Sequence, residues 1–213
     1  MAKLKNGIFS ALRGTVGSMV FYEMNGVNVV RRRPKKRKRY KPHPNHLPQQ
    51  AKFLLCTRLL QPLTGLFRLT YARLAVGMTA FNKAFSYHMN EAVSGTYPNL
   101  SIDFNMVRLS QGNLPNPSSA NCGSVMAGQV EWHWKRKCRR TLARQNDKAF
   151  VAVYCESLGQ WIYSLDAASR SEGHAVLDVS SFSGQSVHSW LGFISADGKW
   201  VSESLYLGVV NVM

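Results

Sequence analysis

Nine of the eleven residues from Arg31 to Lys41 are lysine or arginine, and this run is where the sequence carries its clearest chemistry. Cationic groups at this density neutralise phosphates, and each neutralised phosphate releases condensed counterions, which favours binding to a polyanion. The run does not distinguish DNA from RNA or from another polyanion, because phosphate contacts carry no base information. The predicted contacts are Arg31, Arg32, Arg33, Lys35, Lys36, Arg37, Lys38, Arg39 and Lys41.

The charge of the chain is concentrated in the same region. The first 41 residues contain 12 of the 27 lysines and arginines and a single acid, Glu23, so they carry +11 of the formal net charge of +16. A second basic cluster follows much later in the chain. It either extends the polyanion-binding surface or forms an ordinary exposed loop, and the sequence leaves both open. Its predicted contacts are Lys135, Arg136, Lys137, Arg139 and Arg140.

Sequence patterns that serve catalysis or nucleotide binding are absent. Ser186, His188 and Asp178 are not accompanied by a G-x-S-x-G elbow, and there is neither a G-x-x-x-x-G-K-[ST] loop nor a G-x-G-x-x-G motif. The 11 acidic residues are scattered singly, which disfavours a paired-carboxylate mechanism and an acidic metal site. We therefore predict a protein that is not an enzyme, with no catalytic residue and no cofactor.

Metal-ligating residue types are present but poorly arranged. His43 and His46 are spaced like a small metal clip, yet they lie among prolines with no evident third ligand. The cysteines are far apart and form no C-x-x-C pair, so we predict free thiols rather than a zinc ribbon. The four cysteines are Cys56, Cys122, Cys138 and Cys155. No metal site is predicted.

The first half of the chain must position the basic run. Asn25-Gly26 between two runs of β-branched and aromatic residues predicts a β-hairpin over 16–32. Pro42, Pro44 and Pro48, which lack a backbone donor, predict an extended linker over 33–48. Apolar spacing then predicts a helix over 49–74, broken at Pro62 and Gly65, and a second helix over 78–93 that Gly95 stops.

The second half of the sequence, from residue 102, has the pattern of β-strands. Seven short β-branched or aromatic segments alternate with turn-like stretches, which is typical of an antiparallel β-sandwich of fibronectin or immunoglobulin type. The fibronectin type is favoured because the Cys…Trp…Cys pattern of immunoglobulin domains fits poorly. The segments are 102–110, 128–137, 149–157, 160–167, 174–180, 187–195 and 199–212. The predicted fold class is α+β, with a hairpin, linker and helical region at 1–101 and a sandwich at 102–213.

Three stretches resemble one family. MAKLKNGIFSALRGTVGSMVFYEMNGVNVVRRRPKK at the start, MTAFNKAFSYHMNEAVSGTYPNLSIDFNMVRLSQGNLP in the middle and VHSWLGFISADGKWVSESLYLGVV near the end are similar to a family of uncharacterised proteins found largely in Bacteroidota. The resemblance implies a bacterial or phage origin and supports the chain boundaries. The family is classed as a domain of unknown function, so it implies no active-site residue. KRKCRRTLAR at 135–144 is more basic than the family pattern.

Two functions are compatible with these patterns. The first is a structural or assembly protein that binds nucleic acid through its basic segment, with other protein subunits as partners, such as a phage or prophage particle component. The second is a fibronectin-like module that binds a protein or glycan and has no nucleic-acid role. With no secretory signal and no membrane-length apolar window, we predict a cytoplasmic protein, which a particle could incorporate.

Overall fold

The computed structural model describes residues 2–4, 12–24, 26–35, 43–136 and 142–213. The chain divides into two compact units, Met1–His46 and Leu47–Met213. The second unit contains the helices as well as the later strands. The predicted boundary between residues 101 and 102 therefore lies inside the second unit and does not coincide with this division.

The first unit is a small antiparallel sheet with strand order β1-β4-β3-β2. Its strands are β1 Ala2–Leu4, β2 Gly14–Val16, β3 Met19–Met24 and β4 Val27–Arg32. In the hairpin of β3 and β4, Met24 lies opposite Val27, which leaves the predicted Asn-Gly pair as the connection. Gly26 has φ +75°, a conformation that glycine adopts without a Cβ penalty. The predicted hairpin is present.

The second unit begins with a helical layer. Its helices are α1 Leu47–Leu60, α2 Thr64–Thr70 and α3 Ala80–Glu91. The predicted break at Pro62 is present as a 3-10 turn, Gln61–Leu63. The predicted break at Gly65 is wrong, because this glycine lies inside α2. Its lack of a side chain serves close packing instead, since a Cβ there would lie 3.2 Å from the hydroxyl of Tyr163.

Helix α3 begins at the side chain of Thr79, which accepts a hydrogen bond from the backbone N–H of Asn82. The prediction that Gly95 stops this helix is wrong. Gly95 lies in the first strand of a hairpin, where φ is +86° and a Cβ would be 2.3 Å from the carbonyl oxygen of Asn99. The sequence did not indicate this hairpin because its strands are short and mostly polar. They are β5 Val93–Thr96 and β6 Asn99–Ile102.

Two further antiparallel sheets complete the second unit, with strand orders β10-β9-β12-β13 and β11-β8-β7. Helices and antiparallel sheets together make the described chain an α+β protein, as predicted. The strands are β7 Ala120–Gly123, β8 Gln129–Trp134, β9 Lys148–Cys155, β10 Gln160–Ser169, β11 His174–Asp178, β12 Ser186–Ile194 and β13 Leu205–Asn211.

The prediction of a strand over 102–110 is wrong. Beyond the end of β6, the Asp103 side chain accepts the backbone N–H of Asn105 and starts a 3-10 turn, Phe104–Met106. The alternation that suggested a strand comes from burial, since Val107 and Leu109 both enter the core without being part of a named strand. Conversely, β7 lies in a region that the sequence indicated as a turn.

Buried side chains cover both faces of the four-stranded sheet. From β9, Phe150 and Ala152 join the helices in one cluster. Val151 and Val153 join Trp132 of the three-stranded sheet in the other. Because both faces of β9 are buried, its sequence is a nearly continuous apolar run and does not alternate between apolar and polar residues.

Candidate polyanion-binding surface

The basic run starts inside a strand. Arg31 and Arg32 are the last residues of β4. Arg33 and Lys35 lie one and three residues beyond the end of this strand. Each of them is exposed. Arg31 lies opposite Val20 in the sheet register. Because neighbouring side chains of a strand point to opposite faces, the guanidinium groups of Arg31 and Arg32 flank the end of β4 on both sides.

Local contacts hold this strand end in place. The backbone N–H of Arg33 donates to the carbonyl of Ser18 at 2.7 Å, which continues the pairing one residue beyond β4. The guanidinium carbon of Arg31 lies 5.3 Å from the centre of the Tyr22 ring, within the range of a cation–π contact. Strand pairing and the Tyr22 ring therefore fix the position of the first residues of the basic run.

Glu23 is the single acid among the first 46 residues, and it is already engaged. Its carboxylate lies 2.7 Å from the guanidinium of Arg13. Within the described residues, Arg31, Arg32 and Arg33 form no ion pair, and Lys35 forms none either. Their positive charge is consequently available to an anionic partner.

The other predicted contacts have different locations. Lys135 and Arg136 are exposed and follow β8, so they belong to the second unit, whereas residues 31–35 belong to the first. The side chain of Arg136 packs over Gly173, where a Cβ would lie 2.8 Å from its Nε. The remaining predicted contacts lie outside the described residues, and they are Lys36, Arg37, Lys38, Arg39, Lys41, Lys137, Arg139 and Arg140.

Ser186, His188 and Asp178 do not form a catalytic relay. The Ser186 hydroxyl donates to the side chain of Asn211 at 2.7 Å. Asp178 accepts a backbone N–H two residues further on at 2.9 Å. His188 instead pairs its Nδ1 with the hydroxyl of Tyr206 at 2.7 Å. Each of these three groups is thus hydrogen-bonded to a residue other than the remaining two.

His188 belongs to an aromatic cluster that the sequence did not reveal. Its ring stacks on Phe104 at a centroid distance of 3.8 Å. Burial lowers the pKa of His188, against the opposing charge of Glu156, so its imidazole is neutral at pH 7. The members come from several separate segments, so no local spacing could have identified them. They are Phe104, Tyr154, Trp161, His188, Trp190 and Tyr206.

Two of the described thiols are buried and one is half-buried. Cys56, Cys122 and Cys155 are free, as predicted, and burial raises the pKa of Cys56 and of Cys122 to about 11. Cys138 lies outside the described residues. In the part of the chain that the structure describes, no three His, Cys, Asp or Glu side chains are placed to hold a metal ion. No helix among those residues is long and apolar enough to cross a membrane.

The comparison with known families supports one part of the resemblance, namely that the chain contains a domain of unknown function. The model of a family of unknown function (DUF6266) matches residues 11–208. The chain belongs to this family. No curated protein matches the chain. Membership of DUF6266 assigns no reaction or ligand to this chain.

Proposed function

We propose that this chain is a non-enzymatic structural or assembly protein that binds nucleic acid or another polyanion through the basic segment, residues 31–41. The observation that carries the proposal is the end of β4, where Arg31, Arg32, Arg33 and Lys35 are exposed. The one acid of the same unit is bound to Arg13. Phosphates are the natural counter-charge for such a surface.

The proposal extends to the setting of the protein. A basic segment ahead of a β-rich domain is an arrangement that coat proteins use, which is an analogy of architecture. We therefore propose a component of a phage or prophage particle of Bacteroidota, made in the cytoplasm and assembled with other subunits. Lys135, Arg136 and their neighbours would add to the phosphate contacts if the assembly brings them to the same polyanion.

The salt dependence of binding tests this proposal. If six to nine cations meet phosphates of duplex DNA, the slope of log K against log salt should be about −5 to −8. Binding of labelled DNA and RNA, followed by anisotropy over a salt series, measures this slope. The absorbance ratio at 260 and 280 nm of the purified protein, before and after nuclease treatment, shows whether it carries nucleic acid.

Two matched triple variants test which cations contact the phosphates of the nucleic acid. Arg32→Gln/Arg33→Gln/Lys35→Gln removes three charges from the basic segment and should make the slope shallower by up to about 3. Arg58→Gln/Arg68→Gln/Lys83→Gln removes three charges from the helical layer and should leave the slope nearly unchanged. Equal effects would show that binding follows total charge alone, and no binding at low salt would refute the nucleic-acid function.

The second candidate is a fibronectin-like sandwich that binds a protein or glycan without any nucleic acid. It is supported by the buried cluster that the four-stranded and three-stranded sheets share. The edge strand β10 also lies beside β11, and β13 beside β7, as in two facing sheets. Partner capture that survives the triple substitution in the basic segment would favour this candidate, whereas loss of capture would favour the first.

A further inference from the structure

The helical layer lies in a stretch of sequence with no negative side chain. Residues 24–90 contain 14 lysines and arginines and no aspartate or glutamate. Five of these cations belong to the helical layer, and they are Lys52, Arg58, Arg68, Arg73 and Lys83. A helical layer that carries cations and no acid before Glu91 attracts an anionic partner and opposes the approach of a second copy of itself.

Helix α1 also exposes large apolar side chains. Its buried residues are Cys56, Leu59 and Leu60. Leu47 and Leu54 are two turns apart on the opposite side, and their residues are 36% and 50% exposed. The exposed Arg58 lies one turn beyond Leu54 on the same side. The outward ridge of α1 thus carries two leucines and a cation.

The apolar surface continues from α1 to α3. Phe53 is 55% exposed, and its ring lies 4.8 Å from the ring of Phe85. Phe85 in turn lies 5.9 Å from Phe81. Beyond Phe81 is a groove of about 450 Å³ that Arg68 lines with its cationic side chain. Leucines, phenylalanines and arginines are therefore combined on one helical layer whose sequence contains no acid before Glu91.

We propose that this helical face binds the surface of an anionic lipid bilayer, with Leu47, Leu54 and Phe53 entering the acyl boundary and Arg58 and Arg68 meeting headgroup phosphates. Apolar side chains beside cations are what an interfacial helix requires, because burial of the first and attraction of the second add. This inference does not depend on nucleic-acid binding by the basic segment.

The shape of the ridge favours a bilayer over a protein partner. Leu47 and Leu54 stand on the outward side of α1, and Phe53 lies about 100° away from Leu54 around the same helix, so the exposed apolar side chains spread over a broad face that suits a flat interface. A second copy of the chain would bring two cationic layers together, which like charges oppose. An anionic bilayer offers a flat interface and supplies the negative charge.

Flotation of the full chain with vesicles tests the proposal. We expect binding to vesicles of phosphatidylcholine with phosphatidylserine, and weak binding to phosphatidylcholine alone. Leu47→Ser/Leu54→Ser should lower the partition coefficient roughly tenfold for each leucine, because the exposed part of each residue, 36% and 50%, leaves water on insertion. Val176→Thr, at an exposed position of β11, is the control and should bind like the parent.

Three results would overturn the proposal. One is absence of binding to the anionic vesicles. Another is vesicle binding that weakens with salt but is equally strong in Leu47→Ser/Leu54→Ser and in the parent, which would assign the binding to the basic segment alone. The third is binding to an acidic amphipathic peptide together with no vesicle binding, which would indicate a protein partner. Leu47→Ala/Leu54→Ala serves if the serine variant loses its native circular dichroism, and nucleic-acid binding by either variant should remain at the parent level.

Discussion

His88 is a fully buried histidine whose two ring nitrogens are both engaged. Nδ1 lies 2.7 Å from the carbonyl oxygen of Ala84, so it must donate. Nε2 lies 3.2 Å from the backbone nitrogen of Arg108 and accepts its N–H. This arrangement requires the neutral imidazole, and burial lowers the pKa of His88 to about 4. The residue ties α3 to the segment that leads into the core.

The stability of the protein should therefore depend on His88 between pH 6.5 and 4. The unfolded chain binds the proton with a pKa near 6.5, so the contribution is complete above that value and is lost as pH falls towards 4. From about pH 7.5 to about pH 5 the loss should be roughly 2 kcal/mol. Urea unfolding of the parent and of His88→Gln at both pH values measures it. A variant as pH-sensitive as the parent would contradict this assignment.

Asp147 and Arg170 form a buried ion pair. Their side chains are 0% and 3% exposed, and the Nε of Arg170 lies 3.1 Å from the carboxylate. The same carboxylate oxygen accepts the backbone N–H of Arg144 at 2.9 Å. The guanidinium carbon of Arg170 also lies 3.9 Å from the centre of the Phe193 ring.

Breaking this pair should be costly. Asp147→Ala leaves a buried guanidinium without its counter-charge and should lower the free energy of unfolding by about 3–5 kcal/mol. Asp147→Ala/Arg170→Met should cost less than the sum of the two single variants, because no charge stays buried. Asp166→Asn breaks the exposed pair with Lys148 and should cost less than about 1 kcal/mol. Similar losses for the buried and exposed pairs in urea unfolding would refute the argument.

Strand β12 pairs with β9 in the four-stranded sheet, and one of its paired residues is a glycine. Gly192 lies opposite Phe150 in the register, and a Cβ at Gly192 would be 2.3 Å from the Phe150 ring. Phe150 is fully buried between the sheet and the helices, so its ring has little room to move. The glycine is required by this close approach rather than by its backbone conformation.

Gly192→Ala should consequently destabilise the second unit by about 1–3 kcal/mol through overpacking. Gly123→Ala in β7 is a matched control, because a Cβ at Gly123 would meet no described atom within 4 Å. Its cost should be under about 1 kcal/mol. Thermal melting of both variants compares them. Equal melting temperatures would show that Phe150 moves aside without penalty.

The whole molecule is organised as two units that differ in charge and in the size of their cores. The first carries +11 of the net charge on a four-stranded sheet and the segment that follows it. The second contains both large buried clusters. All five tryptophans lie in the second unit, so their fluorescence reports on that unit alone. They are Trp132, Trp134, Trp161, Trp190 and Trp200.

Residues 47–213 should therefore fold without residues 1–46. We expect the truncated chain to keep the tryptophan emission of the full protein and a melting temperature within about 4 °C of it, the shift that about 1 kcal/mol produces at this size. Emission at the wavelength of exposed tryptophan would show that the second unit needs the first. The truncated chain should also lose nucleic-acid binding if residues 31–41 are responsible for it.

Prediction from the sequence succeeded where a local signal sufficed. Asn25-Gly26 predicted the β3–β4 hairpin, and Pro62 predicted the interruption after α1, because each acts through its own backbone. Prediction failed over 102–110, where alternating burial in an irregular segment imitates a strand. Of the candidate site, the exposed start at residues 31–35 was predictable from composition, whereas the aromatic cluster around His188 was not, because its members come together only on folding.

By itself, the sequence determined the charge of the chain, the α+β class and the position of the basic run, because composition and local backbone preference are properties of neighbouring residues. Only the tertiary structure decided which groups meet. It joined Asp147 to Arg170, enclosed His88 between two backbone groups and left Leu47 and Leu54 on the outward side of α1. His88 and Arg108 are 20 residues apart in the chain and Asp147 and Arg170 are 23 apart, and burial sets the energies of these contacts, so no local pattern encodes them.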